Sequence, residues 1–162
     1  MLTIAILSDS HGNIHPQIIK IISDCDYAVH AGDIIDESTL QYITPKQKFV
    51  AVRGNNDEHL TFLNEVENLD LPGGRLVIEH GHKHGHHQPC HDSLRKAYPG
   101  AKAVVYGHTH VQTIDNDNTP WIINPGASGN IRNQGGPRCL TLTIDEENNW
   151  EFESHVFDNP FC

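Results

Sequence analysis

The sequence predicts an α/β domain whose strands deliver polar side chains to one common edge, and three observations predict it. Short apolar runs recur along the chain, and five of them end directly in clusters of Asp, His, Asn and Gly. Helical spacing between the early runs makes the first half βαβ-like, whereas closely spaced runs joined by turns make the second half mostly antiparallel. The length of 162 residues, 37% of them hydrophobic, suits a single domain over 1–162.

The elements follow in order. Leu2 to Leu7 reads as a buried strand ending at Ser8-Asp9-Ser10-His11. Pro16 suits the first turn of a helix, and Ile14, Ile18, Ile21 and Ile22 keep helical spacing up to Asp24-Cys25-Asp26. Tyr27 to Ala31 is a second strand, leading into Gly32-Asp33. A short helix over Glu37 to Ile43 stops at Thr44-Pro45, and Lys48 to Val52 forms a strand ending at Arg53-Gly54-Asn55-Asn56-Asp57. Val66 to Leu71 and Arg75 to Glu79 flank Pro72-Gly73-Gly74 as a hairpin, whose second strand ends at His80-Gly81-His82. A helix from about Pro89 to Tyr98 precedes Ala103 to Tyr106, which ends at Gly107-His108-Thr109-His110. Val111 to Asp115, Trp121 to Asn124, Leu140 to Ile144 and Trp150 to Val156 complete the strands.

Composition narrows the function. Eleven Lys and Arg against 21 Asp and Glu give a formal charge of -10, which disfavours strong nucleic-acid or anionic-membrane binding. No apolar run approaches the ~18 residues of a membrane span, and no signal-peptide pattern follows Met1, so a cytoplasmic protein is expected. Cys25, Cys90, Cys139 and Cys162 show no C-x-x-C spacing and read as reduced thiols. Thirteen histidines are an excess that points to metal chemistry.

Ligand sites of open α/β sheets lie beyond the carboxyl ends of the strands. Asp9, His11, Asp33, Asn55, His80, His108 and His110 all fall there. In extended chain the members of Asp9-x-His11 and His108-x-His110 point the same way, so each pair can approach a metal from one side. Imidazole, carboxylate and amide oxygen without thiolate suit Mn, Fe, Zn, Ni or Co, with Mn the first guess. Seven ligands exceed the needs of one ion. Two divalent ions sharing a bridging carboxylate, for which Asp33 is the natural choice, would accommodate them and attract an anionic ester.

This set of blocks resembles the calcineurin-like metallophosphoesterase superfamily. The short chain, His80-Gly81-His82 and Asn124-Pro125-Gly126 look most like its small prokaryotic phosphodiesterase branch. The resemblance spans Leu2 to roughly Asn130. It implies a four-layer αββα sandwich of two mixed β-sheets flanked by helices. One metal would be held by Asp9, His11, Asp33 and His110, and the other by Asp33, Asn55, His80 and His108. It further implies hydrolysis of a small phosphate ester, most readily a phosphodiester, by a hydroxide bridging the two ions.

Two positions depart from the family pattern. Asn56 stands where many members carry a His that contacts substrate, and Asn124-Pro125-Gly126-Ala127-Ser128 replaces Asn-Pro-Gly-Ser, leaving backbone donors near Gly126 as the substrate contact. Asp57 either orients a ligand imidazole or caps its turn. Arg53 and Arg132 either reach a phosphate or form surface ion pairs. His30 reads as a packed histidine, and His15, His59 and His155 as surface residues. Within the His-rich tract 80–91, His82 is the expected proton donor, while His84, His86, His87 and His91 supply an acid, bind an extra ion or decorate a loop. The competing functions are a protein-binding scaffold of the same fold, as in the retromer subunit that resembles this family, and a nuclease. The oligomeric state is left open.

Overall fold

The computed structural model describes residues 1–159, so Cys162 lies outside the described residues. The chain forms β1 (Leu2–Leu7), α1 (Pro16–Asp24), β2 (Tyr27–His30), β3 (Lys48–Ala51), β4 (Val66–Leu71), β5 (Gly74–Glu79), α2 (His91–Ala97), β6 (Ala103–Val105), β7 (Thr113–Asp115), β8 (Trp121–Asn124), β9 (Arg138–Ile144) and β10 (Trp150–Val156). Single 3-10 segments cover Glu37–Tyr42 and His82–His84.

Two five-stranded mixed sheets result, ordered β10-β9-β1-β2-β3 and β4-β5-β6-β8-β7. In the first, β1, β2 and β3 are parallel, as the βαβ reading requires, and β9 and β10 add antiparallel strands at the other edge. The second half of the chain is less antiparallel than its short spacing suggests. There β5, β6 and β8 run parallel, and only β4 and β7 are antiparallel. The reason is that α2 serves as a crossover between β5 and β6, as α1 does between β1 and β2.

The inner faces of the two sheets bury one shared core, with Ile4, Ile6 and Val29 from one side meeting Leu76, Ile78, Val105 and Ile123 from the other. The opposite face of the first sheet is covered by Ile18 and Ile22 of α1, and that of the second by Leu94 of α2. Four αββα layers follow. Helix α1 begins as its sequence dictates, with Pro16 at the first turn and His15 Nδ1 accepting from the Gln17 N–H. Among the described residues Cys25, Cys90 and Cys139 are free thiols.

His30, the last residue of β2, is fully buried. Its Nδ1 accepts from the Gly32 N–H at 3.1 Å, so Nε2 carries the proton and donates to Ser10 Oγ at 3.0 Å. Burial disfavours the charged ring and pushes the pKa down to about 4. An unfolded histidine titrates near ~6.5. The stability that His30 contributes is therefore complete above about pH 6.5 and lost as pH falls through about 4, because the unfolded chain takes up the proton first. Melting temperatures between pH 7 and 4 should fall for the native chain. They should fall less steeply for His30→Gln, and parallel curves would show that His30 plays no part.

Candidate metal centre

The loops that leave β1, β2, β3, β5 and β6 meet at one end of both sheets. The ladder between the first two is prolonged past the strands, with the Asp9 N–H on Gly32 O at 2.9 Å and the His11 N–H on Asp33 O at 3.1 Å. On the second sheet the Gly107 N–H donates to His80 O at 3.0 Å. The sheets are tied to each other where the His108 N–H donates to Asp9 Oδ2 at 3.0 Å. Such close loops need glycine. A Cβ at Gly107 would lie 2.1 Å from Ser8 Oγ, and one at Gly54 would lie 2.3 Å from Asp33 Oδ1.

Asp9, His11, Asp33 and His110 each offer a ligand atom, and the four atoms lie within 4.8 Å of one another. His11 Nε2 is 3.6 Å from Asp33 Oδ2, and His110 Nε2 is 3.4 Å from Asp9 Oδ1. His80 Nε2 sits 3.4 Å from Asp33 Oδ2 and 3.8 Å from Asp9 Oδ1, within reach of both carboxylates. The His108 ring packs edge-on against His80 at 5.3 Å. The pairs two residues apart are not presented by extended chain, as their spacing alone suggests. Asp9, His11, Asp33, His108 and His110 all have φ between +45° and +72°, so sharp left-handed turns aim them inward. Each such turn costs a non-glycine residue roughly 1 kcal/mol or more, a strain that gathers at functional sites.

The imidazoles are held by backbone carbonyls. His80 Nδ1 donates to Ala31 O at 2.8 Å, His110 Nδ1 donates to Arg132 O, and His108 Nε2 donates to His86 O. Each bond engages one ring nitrogen and leaves the other to give an electron pair once any proton on it is displaced. Two buried atoms, Asp9 Oδ1 and His80 Nε2, make no hydrogen bond. Buried carboxylate and imidazole atoms without partners are costly, and a divalent cation satisfies both. The residues therefore fit a metal.

The charges agree. Burial opposes ionisation of Asp33, but the facing His80 imidazole and the hydrogen bonds from Asn56 outweigh it and hold the carboxyl well below its usual range. Burial likewise opposes a charged His80, yet Asp33 and Asp9 raise its pKa to about 9. The facing Asp9 carboxylate raises His110, while burial lowers His11.

Other expected site residues fall differently. Asn55 is exposed and makes no hydrogen bond to the cluster. Its neighbour Asn56 instead donates from N to Asp33 Oδ1 at 3.1 Å and from Nδ2 to Asp33 Oδ2 at 2.9 Å, so it orients the shared carboxylate. The buried Asp57 accepts from the N–H groups of Ile34, Ile35 and Gly54, which makes it a brace between loops with no imidazole partner. Gly126 is not a free donor, because its N–H is spent on Asn124 Oδ1 at 2.9 Å. Arg53 faces Glu65 at 3.7 Å, in an ion pair. His82 is drawn beside His80 and His108 by a 3-10 turn after Gly81, with ring centroids 5.6 and 6.3 Å away. Burial, then the neighbouring His80 and His108, lowers its pKa, so it holds less proton at neutrality than an ordinary histidine.

The His-rich tract is more than decoration. His84 bonds Ser93 Oγ and lies 3.2 Å from Glu79, the His86 carbonyl holds His108, and His91 bonds Asp115 and Tyr106. Arg132 was only one of two ambiguous arginines in sequence, yet its carbonyl fixes His110 and its Nη1 lies 3.2 Å from His11 Nδ1. No motif announces it, since it reaches the centre from a loop more than a hundred residues from His11.

Comparison with known proteins agrees with this geometry. A probable metallophosphoesterase of Mycoplasma genitalium is 27% identical over 168 residues, covering 97% of this chain and 96% of that protein. A phosphodiesterase of Methanocaldococcus jannaschii is 27% identical over 146 residues, covering 77% of this chain and 83% of that protein. Among solved structures, Vps29 from Entamoeba histolytica superposes with a TM-score of 0.77 at 16% identity, covering 97% of this chain and all of that one, a likeness of fold alone. The model of the calcineurin-like phosphoesterase superfamily domain matches residues 2–147, and the chain belongs to that family.

Proposed function

We propose that the protein is a phosphodiesterase that hydrolyses small phosphodiesters at a centre of two divalent ions. The observation that carries this reading is the buried cluster of two carboxylates and several imidazoles in which Asp9 Oδ1 and His80 Nε2 make no hydrogen bond. Asp9, His11, Asp33 and His110 would hold one ion. Asp33, His80 and His108 would hold the other, completed by Asn55, and Mn is the first choice for this donor set. When bound, such ions lower the pKa of water and neutralise charge on phosphoryl oxygens.

The chain's own residues supply position. Asn56 fixes both oxygens of Asp33, and the Arg132 guanidinium is the group available to the substrate phosphoryl oxygens. Arg53, Arg75 and Arg95 face carboxylates and Arg138 donates to backbone carbonyls, whereas Arg132 has no carboxylate partner among the described residues. His82, neutral at pH 7 in this reading, provides a hydrogen bond near the leaving oxygen rather than a stored proton. Esters with good leaving groups are then preferred. The free thiols among the described residues support a cytoplasmic setting. A binding scaffold is the weaker reading, because it gives no reason to keep buried, strained ligands. A nuclease is weaker too, since most arginines are already engaged.

Metal titration tests the shared carboxylate. Asp33→Asn should lose cation binding more severely than His11→Ala, and two ions retained in Asp33→Asn with activity intact would overturn the bridging role. Uptake by the native chain should strengthen as pH rises from 6 to 8, since a cation must displace the His80 proton.

Ions, carboxylates, hydroxide and the Arg132 guanidinium sum to about +2, so the diester preference rests on Asn56, whose amide is spent on Asp33 and leaves no imidazolium there for the second charge of a monoester dianion. Bis(4-nitrophenyl) phosphate should therefore exceed 4-nitrophenyl phosphate in kcat/KM, and the reverse order would sink the substrate assignment. Arg132→Gln should raise KM and the inhibition constant of inorganic phosphate about tenfold, the usual scale of one charged hydrogen bond, with metal stoichiometry unchanged. Unaltered KM and phosphate inhibition would exclude the contact.

A further inference from the structure

We infer that the cavity between the His-rich tract and the β6–β7 connection receives the organic arm of the substrate, and that this arm is a neutral, hydrogen-bonding alcohol. The inference rests on the phosphodiesterase reading and adds a substrate class to it. The cavity measures about 350 Å³ and is lined by His87, Gln88, His91, Tyr106, Thr109, Val111 and Thr113. That is within the lower part of the range typical of small-molecule pockets.

Its walls belong to two of the segments that build the candidate metal centre. Thr109 stands between His108 and His110, and His87 follows the His86 whose carbonyl holds His108. The His86 ring lies 6.2 Å from that of His108 and 4.9 Å from that of His87, so the cavity wall begins two rings away from a proposed metal ligand, and an ester bound there has this cavity beside it.

The lining specifies the chemistry. It contains no Lys, Arg, Asp or Glu, although the chain carries 32 such residues, 11 basic and 21 acidic. A second phosphate or a cationic arm would find no counter-charge there. One side of the cavity is rigid and already satisfied: Tyr106 donates to His91 Nε2 at 3.0 Å, His91 Nδ1 donates to Asp115 at 2.7 Å, and Arg95 closes the row on Asp115 at 2.8 Å. The other side offers His87 and Gln88, whose side chains make no hydrogen bond within the chain among the described residues. A preformed wall facing unengaged amide and imidazole groups suits hydroxyl or heterocyclic edges, as in a nucleoside or a polyol.

Binding of the free alcohol separates this inference from turnover. Adenosine and glycerol would each be titrated into the zinc-loaded protein, which is diamagnetic, while amide resonances are followed. At least one should give saturable shifts at Thr109, Val111 and Thr113, and which one does so distinguishes a nucleoside from a polyol arm. Val111→Trp fills the cavity from an exposed rim position and should abolish those shifts. It should also lower, at least tenfold, the ratio of kcat/KM for the 4-nitrophenyl diester of adenosine 5′-phosphate, or of glycerol phosphate, to that for methyl 4-nitrophenyl phosphate. Gln88→Ala, on the exposed loop, should lower the same ratio in the same direction. Absence of shifts with both alcohols, shifts that persist in Val111→Trp, or an unmoved ratio would each overturn the subsite. Alcohol binding without turnover of any diester would instead overturn the phosphodiesterase reading and leave the subsite standing.

Discussion

Two carboxylates buried at the ends of adjacent parallel strands are the constraint around which this protein is organised. Asp9 and Asp33 are 0% and 2% exposed, and the backbone ladder between β1 and β2 continues far enough to hold them together. Like charges so close in a dry interior repel and lose their hydration. Their environment answers with imidazoles: His80 reaches both, His110 faces Asp9 and His11 faces Asp33. The same arrangement leaves Asp9 Oδ1 and His80 Nε2 without a hydrogen bond, a cost understandable where a cation is the intended neighbour.

Gathering those groups requires the loops of two sheets to approach closely. The His108 N–H on Asp9 Oδ2 is the direct link, and Gly54 and Gly107 allow it because any side chain there would strike Asp33, Ser8 or Asp9. Asp57 then ties the loop after β3 to the loop after β2 through the N–H groups of Ile34 and Ile35, and closes its own loop through that of Gly54. The left-handed turns at five ligand positions are the strain left over from this convergence. The large shared core beneath them, together with the two helix-covered outer faces, holds such turns in place.

Much of this was legible in the chain. Apolar runs marked strands within a residue or two, because a strand buried on both faces must be continuously apolar. Polar blocks after those runs marked the residues that gather in the candidate metal centre, because the ends of parallel strands share one edge. The direction of the second-half strands was not legible, since short parallel and antiparallel runs look alike until their partners are known. Asn56 and Arg132 were equally hidden in their roles. One was read as a missing histidine and acts on Asp33, and the other comes from a distant loop with no motif of its own.

The sequence by itself determined the element order, the family resemblance and the residue types gathered at the strand ends, because hydrophobic period and local spacing are properties of the chain alone. Tertiary structure decided which atoms face one another: the left-handed aim of the candidate ligands, the ring nitrogens engaged by Ala31, His86 and Arg132 carbonyls, the bracing role of Asp57 and the cavity beside Thr109 lined without Lys, Arg, Asp or Glu. These depend on contacts between residues tens to more than a hundred positions apart. Such contacts form only when two sheets close on a common core, and no local pattern encodes them.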